Sequence, residues 1–344
     1  MSANPAADVG RATLAEVEGV EPWTTLGATR DGVTYVELRA ASVINLPERT
    51  GMAMASLNPY AGCEIGCAYC GARGPHRAIV ACAGQADPAV PPAVDFERRI
   101  LVKLEAPEVL ERQLDAHTLR GRMLFVSTAT DPYQPAERRY RITRRCLEVL
   151  ARRGEGPARL QVKLCTKSAL ILRDLDVLQL VARRHRLTVA ISLNTLDATI
   201  ARRVEPKAPT PAARLRTIGR LADAGLTTVL LASPILPGLT SSAADLEALL
   251  SAAKAAGASG AQGGAVLHLA KARELWWRLL ERDFPHLIPL YAELYSGGIA
   301  PPPDYQRALL ARFAEIARRL GLPFILGPVV TEEMSLSYRE DGDL

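Results

Sequence analysis

After residue 120 the chain alternates between two textures. Short, continuous apolar runs stand at 122–127 (RMLFVS), 160–165 (LQVKLC), 187–192 (LTVAIS), 227–232 (TTVLLA) and 264–269 (GAVLHL). Continuous rather than alternating hydrophobicity is the mark of strands covered on both faces. Between the runs lie amphipathic helical patterns. Thr210 and Pro211 open one as N-cap and first-turn proline; Leu215, Ile218, Leu221 and Ala222 form its apolar stripe, and Gly225 ends it. Ser242 with Asp245 reads as a capping box, Leu246, Leu249, Leu250 and Ala253 as the stripe that follows, and Gly257 as the stop. Two further helices are expected near 143–152 and 174–184.

Strands and helices in alternation specify βαβ units and a parallel sheet. With a first strand near Met54–Leu57, the pattern predicts six βα units, fewer than the eight of a closed barrel. The fold class expected is therefore α/β, a partial (β/α)6 TIM barrel. Residues 1–50 form an N-terminal extension with one strand at 33–38 (VTYVEL), 51–270 the barrel, and 271–344 a mostly helical region that would pack across the barrel's open side.

Composition narrows the class without naming a function. At 344 residues, 48% hydrophobic and 23% charged, the chain is globular rather than disordered. A net charge of +5 permits an anionic partner but is mild for a dedicated nucleic-acid binder. No apolar run reaches the roughly 18 residues a membrane span needs, and the first 22 residues lack the basic start and apolar core of an export signal. Six cysteines in such a chain are expected to be reduced thiols in a cytoplasmic protein.

The sharpest chemical signal is Cys63-Glu-Ile-Gly-Cys67-Ala-Tyr-Cys70. Three thiolates within eight residues converge only if the chain wraps around them, and Gly62 and Gly66 provide permissive backbone. Three cysteines suit a [4Fe–4S] cube with one iron left free of protein ligands. The competing reading is a Cys3His zinc site completed by His76, in a zinc-stabilised binding module.

The stretch from Asn58 to Arg73 (NPYAGCEIGCAYCGAR) resembles the radical S-adenosylmethionine (SAM) signature, and more narrowly its spore photoproduct lyase-like, or "DNA repair photolyase", branch. The resemblance continues through 95–103, 130–135, 137–140, 166–168, Glu205-Pro-Lys-Ala-Pro209 with Arg214, and 234–238. It implies a cluster on Cys63, Cys67 and Cys70 whose open iron chelates SAM. One-electron reduction, by a donor such as flavodoxin or ferredoxin, would then yield a 5′-deoxyadenosyl radical for hydrogen abstraction.

The predicted strand ends are polar at Ser127 through Asp131, Thr166-Lys167, Ser192 with Asn194, Ser233 and His268, which places a site at the C-terminal rim. By resemblance, Thr130, Lys167 and Ser192 fall on SAM-contacting positions and Tyr69 on the aromatic beside the adenine; Asp131 and Asn194 are further candidates. Lys167 would pair with the SAM carboxylate. Cys165, two residues earlier on the same strand face, is a candidate hydrogen-atom relay, against the alternative of a small sheet residue. Cys146 reads as core, and His76 as a surface residue if it is not a ligand. Two departures stand out: Ala129 occupies the place of the lyase's hydrogen-donating cysteine, and Gly71 that of an aromatic. Both tell against thymine-dimer repair while leaving radical generation intact. The substrate is then a nucleic-acid lesion or base, or alternatively a small molecule or peptide.

Overall fold

The computed structural model describes residues 21–26, 32–47, 54–82, 92–114, 119, 122–153, 159–263, 266–269 and 272–326. The 1–22 stretch read for an export signal lies almost wholly outside them. Among the described residues twelve strands form two sheets. The larger is ordered β12 (Phe324–Leu326), β11 (Gly260–Gly263), β10 (Thr228–Ala232), β9 (Arg186–Ser192), β8 (Gln161–Thr166), β7 (Met123–Val126), β4 (Ala55–Leu57) and β3 (Ile44–Asn45). All neighbours are parallel except β3 against β4. The smaller sheet runs β1 (Glu21–Leu26), β2 (Thr34–Arg39), β6 (Arg99–Lys103), β5 (Tyr60–Ala61). Six βα units and an open sheet match the partial barrel read from the sequence.

Strand β8 shows how the fold divides its two faces. Val162 and Leu164 are buried in the main core beneath the helices, with Leu147, Leu150, Val177, Leu178 and Val181. Lys163 and Cys165 point the other way, to the inner face. Lys163 Nζ donates to Gln262 Oε1 on β11, three strands along. On a flat sheet those strands would stand about 14 Å apart, so the sheet curls into a half-barrel and the two side chains meet across its hollow.

The helices form where the pattern placed them, at Ile142–Arg152, Leu175–Arg184, Pro211–Asp223 and Ala243–Ala255. Thr210 Oγ1 accepts from Ala213 N at 3.3 Å and Ser242 Oγ from Asp245 N at 3.0 Å, capping the last two.

The fifth strand differs from expectation. It lies at Gly260–Gly263, not 264–269, of which Gly264 and Ala265 fall outside the described residues. The sequence GAQG carries no β-branched signal, yet glycine is needed: a Cβ on Gly263 would stand 2.6 Å from Cζ of Phe313, on the helix Pro303–Arg319 covering β11. Leu267 and Leu269 instead enter a second core with Trp276, Leu280, Tyr291 and Tyr295. That core rests on Cys63, Ile65, Cys67 and Tyr69 rather than on the barrel's open side, so this part of the C-terminal region backs the cysteine loop.

The small sheet supports the same loop. β2 pairs with β6 and β6 with β5, which runs directly into Gly62. Gly62 has φ +84°, and a Cβ there would meet Arg99 O at 2.6 Å. We expect Gly62→Ala to destabilise the chain by about 1–3 kcal/mol in urea titration and to lower its iron content after reconstitution. Gly71→Ala, with open space around it, leaves both unchanged.

His185 is the C-cap residue of Leu175–Arg184, and its buried ring joins two other segments, Nδ1 accepting from Leu160 N at 3.2 Å and Nε2–H donating to Leu150 O at 2.9 Å. Burial holds its pKa below the ordinary 6.5. The unfolded chain therefore takes up a proton that the folded one refuses. Stability is full above pH 6.5 and falls as pH drops through that value; His268, lowered by burial too, adds the same sign. Urea midpoints measured between pH 7.5 and 5.5 should fall, and fall less steeply in His185→Gln.

Candidate functional site

From Gly62 to Ala72 the chain forms turns without regular structure, yet most of it is buried. Buried peptide groups must be paired, and the partners come from every side. Cys63 N donates to Phe96 O at 2.9 Å and Ala68 N to Val204 O at 2.9 Å; Ile65 O accepts from Lys207 N at 3.3 Å. Gln134, fully buried, donates to Gly62 O at 3.0 Å and accepts from Glu64 N at 3.0 Å. Glu64 in turn accepts from Ala136 N at 2.9 Å and Tyr35 Oη at 3.1 Å. Arg73 donates to Cys67 O at 2.9 Å, pairs with Glu97, and lies 4.9 Å over the Phe96 ring. The loop is thus fixed by its surroundings with its three thiols on one segment.

Cys63 and Cys67 are buried and Cys70 is partly exposed. Burial raises all three thiol pKa values, Cys67 to about 12 despite the nearby Lys167 ammonium. A metal bound there would displace protons from neutral thiols. His76 does not face them as a fourth ligand. It is buried, not on the surface as expected, with Nε2 3.5 Å from Asp95 Oδ2 and its ring edge-on to Phe96 at 5.4 Å. Among the described residues no group of three or more His, Cys, Asp or Glu could hold a single metal ion.

The rim residues divide into two kinds. Thr130 and Asp131 make several hydrogen bonds within the protein. Thr130 Oγ1 donates to Gly62 O at 2.6 Å. Asp131 Oδ1 accepts from Thr166 Oγ1 at 2.6 Å and Tyr133 N at 2.9 Å, while Oδ2 accepts from Lys167 N at 2.8 Å, so it ties the loop after β7 to the end of β8. Asn58, at the head of the cysteine motif, fixes the same loop by accepting from Thr128 N and Ala129 N at 2.9 and 3.0 Å. Thr130 and Asp131 were expected as cofactor contacts; their polar atoms are engaged with protein.

Tyr69, Lys167, Ser192 and Asn194 gather around a residue that sequence reasoning did not single out. Glu205 is fully buried, accepts from Tyr69 Oη and from Arg214 Nη2, and lies 3.8 Å from Lys167 Nζ. Burial would raise its pKa, but Lys167 and Arg214 hold it below the usual carboxylate value. Burial in turn opposes charge on Lys167, yet Cys67 and Glu205 keep its pKa raised. Arg214 also donates to Ser192 O at 3.0 Å and Pro209 O at 2.9 Å. Asn194 Nδ2 lies 3.4 Å from Tyr69 Oη. Glu205 and Arg214 sat in a stretch read only as resemblance; a carboxylate and a guanidinium nine positions apart across a helix cap were the available signal.

Two buried polar atoms at this rim have no hydrogen-bond partner: Asn194 Oδ1 and Ser127 Oγ. Ser127 also has φ +73°, a left-handed conformation rare outside glycine. Cys165 is partly exposed on the inner face below Lys167, its thiol pKa pushed up to about 11 by burial. Ser233 lies beyond β10, while His268 lies five residues past the end of β11 and does not mark a strand end. Three soft thiols in one loop, a half-buried ammonium and orphaned acceptors beside it fit an iron–sulfur cluster with a zwitterionic, hydroxylated ligand.

Comparison with known proteins agrees. The radical SAM superfamily model matches residues 57–250. The uncharacterized protein Rv2578c of Mycobacterium tuberculosis (strain ATCC 25618 / H37Rv) is 33% identical over 295 residues, 85% of this chain and 82% of its own. The uncharacterized protein MJ0683 of Methanocaldococcus jannaschii is 24% identical over 211 residues, 60% of this chain and 70% of its own. A spore photoproduct lyase double mutant with bound AdoMet and dinucleoside spore photoproduct superposes with a TM-score of 0.57 over 95% of this chain and 85% of that one, at 12% identity; another mutant of that lyase gives 0.55 at 13% identity over 78% and 76%. These likenesses carry the fold. Because the family model spans more than half of the 344 residues, the chain belongs to the radical SAM superfamily, whose members work with a [4Fe–4S] cluster and S-adenosylmethionine.

Proposed function

We propose that Cys63, Cys67 and Cys70 hold the [4Fe–4S] cluster and that the enzyme takes a hydrogen atom from a substrate seated in the half-barrel. The observation that carries this is the three-thiol loop, pinned by Gln134, Arg73 and the second core, at the rim where Lys167 and the orphaned Asn194 and Ser127 oxygens converge. When bound, the group supplies one-electron cleavage of SAM to methionine and a 5′-deoxyadenosyl radical. Lys167 pairs with the SAM carboxylate, and Ser192 and Asn194 hold its polar atoms. Tyr69 presents its ring beside the adenine, its hydroxyl kept on Glu205. Thr130 and Asp131 position rather than bind. The buried walls exclude water and competing hydrogen donors. A small one-electron donor such as flavodoxin or ferredoxin reduces the cluster, in a reducing compartment such as the cytoplasm.

The lyase structures with a dinucleoside lesion support a nucleobase substrate. Ala129 favours a second reading, a small molecule or peptide: it puts a methyl group where the lyase, by resemblance, keeps its hydrogen-donating thiol. A repair reaction that returns hydrogen to the product from that position has no donor here.

Anaerobic reconstitution should give about four iron and four sulfide per chain and a brown protein, which forms 5′-deoxyadenosine with SAM and dithionite. Cys63→Ala, Cys67→Ala and Cys70→Ala should each abolish both. Lys167→Ala should keep the cluster and weaken SAM binding by roughly 10–100-fold, the loss of one charge-assisted contact. A colourless protein with stoichiometric zinc, or a cluster that never cleaves SAM, would sink the reading. DNA and RNA binding across a salt series separates the substrate classes, since a phosphate-contacting protein loses affinity steeply with salt.

A further inference from the structure

We infer that the inner face of the half-barrel carries an anion subsite formed by Lys163 and Gln262, which seats a carboxylate or phosphate of a small substrate beneath the radical-forming rim. This rests on the reading above and specifies its substrate class.

Lys163 is 7% exposed and Gln262 4%. The ammonium has the Gln262 carbonyl oxygen and the Phe125 ring, whose centroid is 5.9 Å away, as its partners. Among the described residues no carboxylate forms an ion pair with it, in contrast to Lys167 and Arg214, which share Glu205. Burying a cation without a counter-ion is costly, and an apolar side chain of the same length would cost the fold nothing comparable. Burial pushes the Lys163 pKa below its ordinary value, because removing water disfavours the charged form; an anion seated beside it would oppose that shift. The fold therefore gains little from this lysine, whereas a ligand with an anionic group gains its full charge. Gln262 adds an amide NH2 as a second donor beside it.

Mainly apolar side chains share the face of the sheet that carries the pair. Register places Met123, Phe125, Lys163, Cys165, Leu231, Gln262 and Ile325 on one face of the sheet. Met123, at the start of β7, and Ile325, on the edge strand β12, are 38% and 39% exposed, two of four large hydrophobics so exposed among the described residues. An apolar wall with one convergent polar pair is the usual make-up of a small-ligand site. Along β8, Lys163 stands about 7 Å below Cys165 and about 13 Å below Lys167. A molecule anchored at Lys163 reaches the rim if it is the size of a small metabolite or a single nucleotide.

The chain has six lysines, so [13Cε]lysine labelling gives six signals, and Lys163→Met identifies the one that disappears. The reconstituted, SAM-loaded protein is titrated with inorganic phosphate, acetate and neutral acetamide. We expect the Lys163 signal to shift saturably with phosphate or acetate and not with acetamide; the tighter of the two anions tells a phosphate from a carboxylate substrate. Lys163→Met should keep the cluster and an equal or higher Tm. A Lys163 signal that ignores both anions, or follows acetamide equally, overturns the subsite, as does a Tm lowered by several degrees in Lys163→Met, which would make the ammonium part of the fold. Because wild-type SAM cleavage is measured on the same samples, failure of the subsite is distinct from failure of the radical chemistry.

Discussion

A loop that is buried but neither helix nor strand cannot satisfy its own peptide groups, and much of this structure follows from that constraint. The turns from Gly62 to Ala72 take donors and acceptors from the segment before β6, from the loop after β7, from the loop beyond β9, and from Arg73 immediately after them. Each of these partners is itself held by a different element: Gln134 by Asp131 and Thr130, Phe96 by the helix Pro92–Arg98, Val204 by the helix Ala198–Val204. The small sheet and the second core are thus more than appendages of a barrel; they form the socket into which an irregular segment must be pressed before three thiols can share one ligand.

Buried charge obeys the same logic one level up. Glu205, Arg214 and Lys167 are a carboxylate between two cations, and the carboxylate also accepts from Tyr69. Any one alone would be unfavourable to bury; together the carboxylate offsets both cations and leaves one net positive charge beside the thiol loop, and each side chain's position comes to depend on the others. The Tyr69 ring and the Lys167 ammonium are consequently placed by a residue that need not touch any ligand. Removing Glu205 would leave two unpaired cations beside Cys67, a more damaging change than removing either cation.

The legible parts of the sequence were those where local pattern and tertiary fate coincide. Thr210, Pro211, Ile218, Leu221 and Gly225 each act within one helix or at its ends, and Leu164 or Val189 are apolar because helices cover them, so periodicity read them correctly. Strand β11 was misplaced because its residues are chosen by a neighbour: Phe313 leaves no room for a Cβ at Gly263, and a strand of GAQG looks like a loop until that helix is in place. Glu205 and Gln262 were missed for a related reason. Their meaning lies in partners 136 and 99 residues away, Tyr69 and Lys163, and no window along the chain contains both members.

Openness of the sheet joins these threads. A closed eight-stranded barrel fills its interior with layers of branched apolar side chains. Here β3 and β12 form the two edges, and the inner face carries Ser56, Phe125, Lys163, Cys165, Ser192 and Gln262 instead. Such a face is not a conventional apolar core: its polar groups are buried and must find partners, as Lys163 does in Gln262 and Ser56 in Asn58. The outer face, with Leu164, Val189, Leu230 and Ala261 under helices, supplies the cohesion that the inner face gives up. The apolar cohesion of the sheet is thereby concentrated on the side its helices cover.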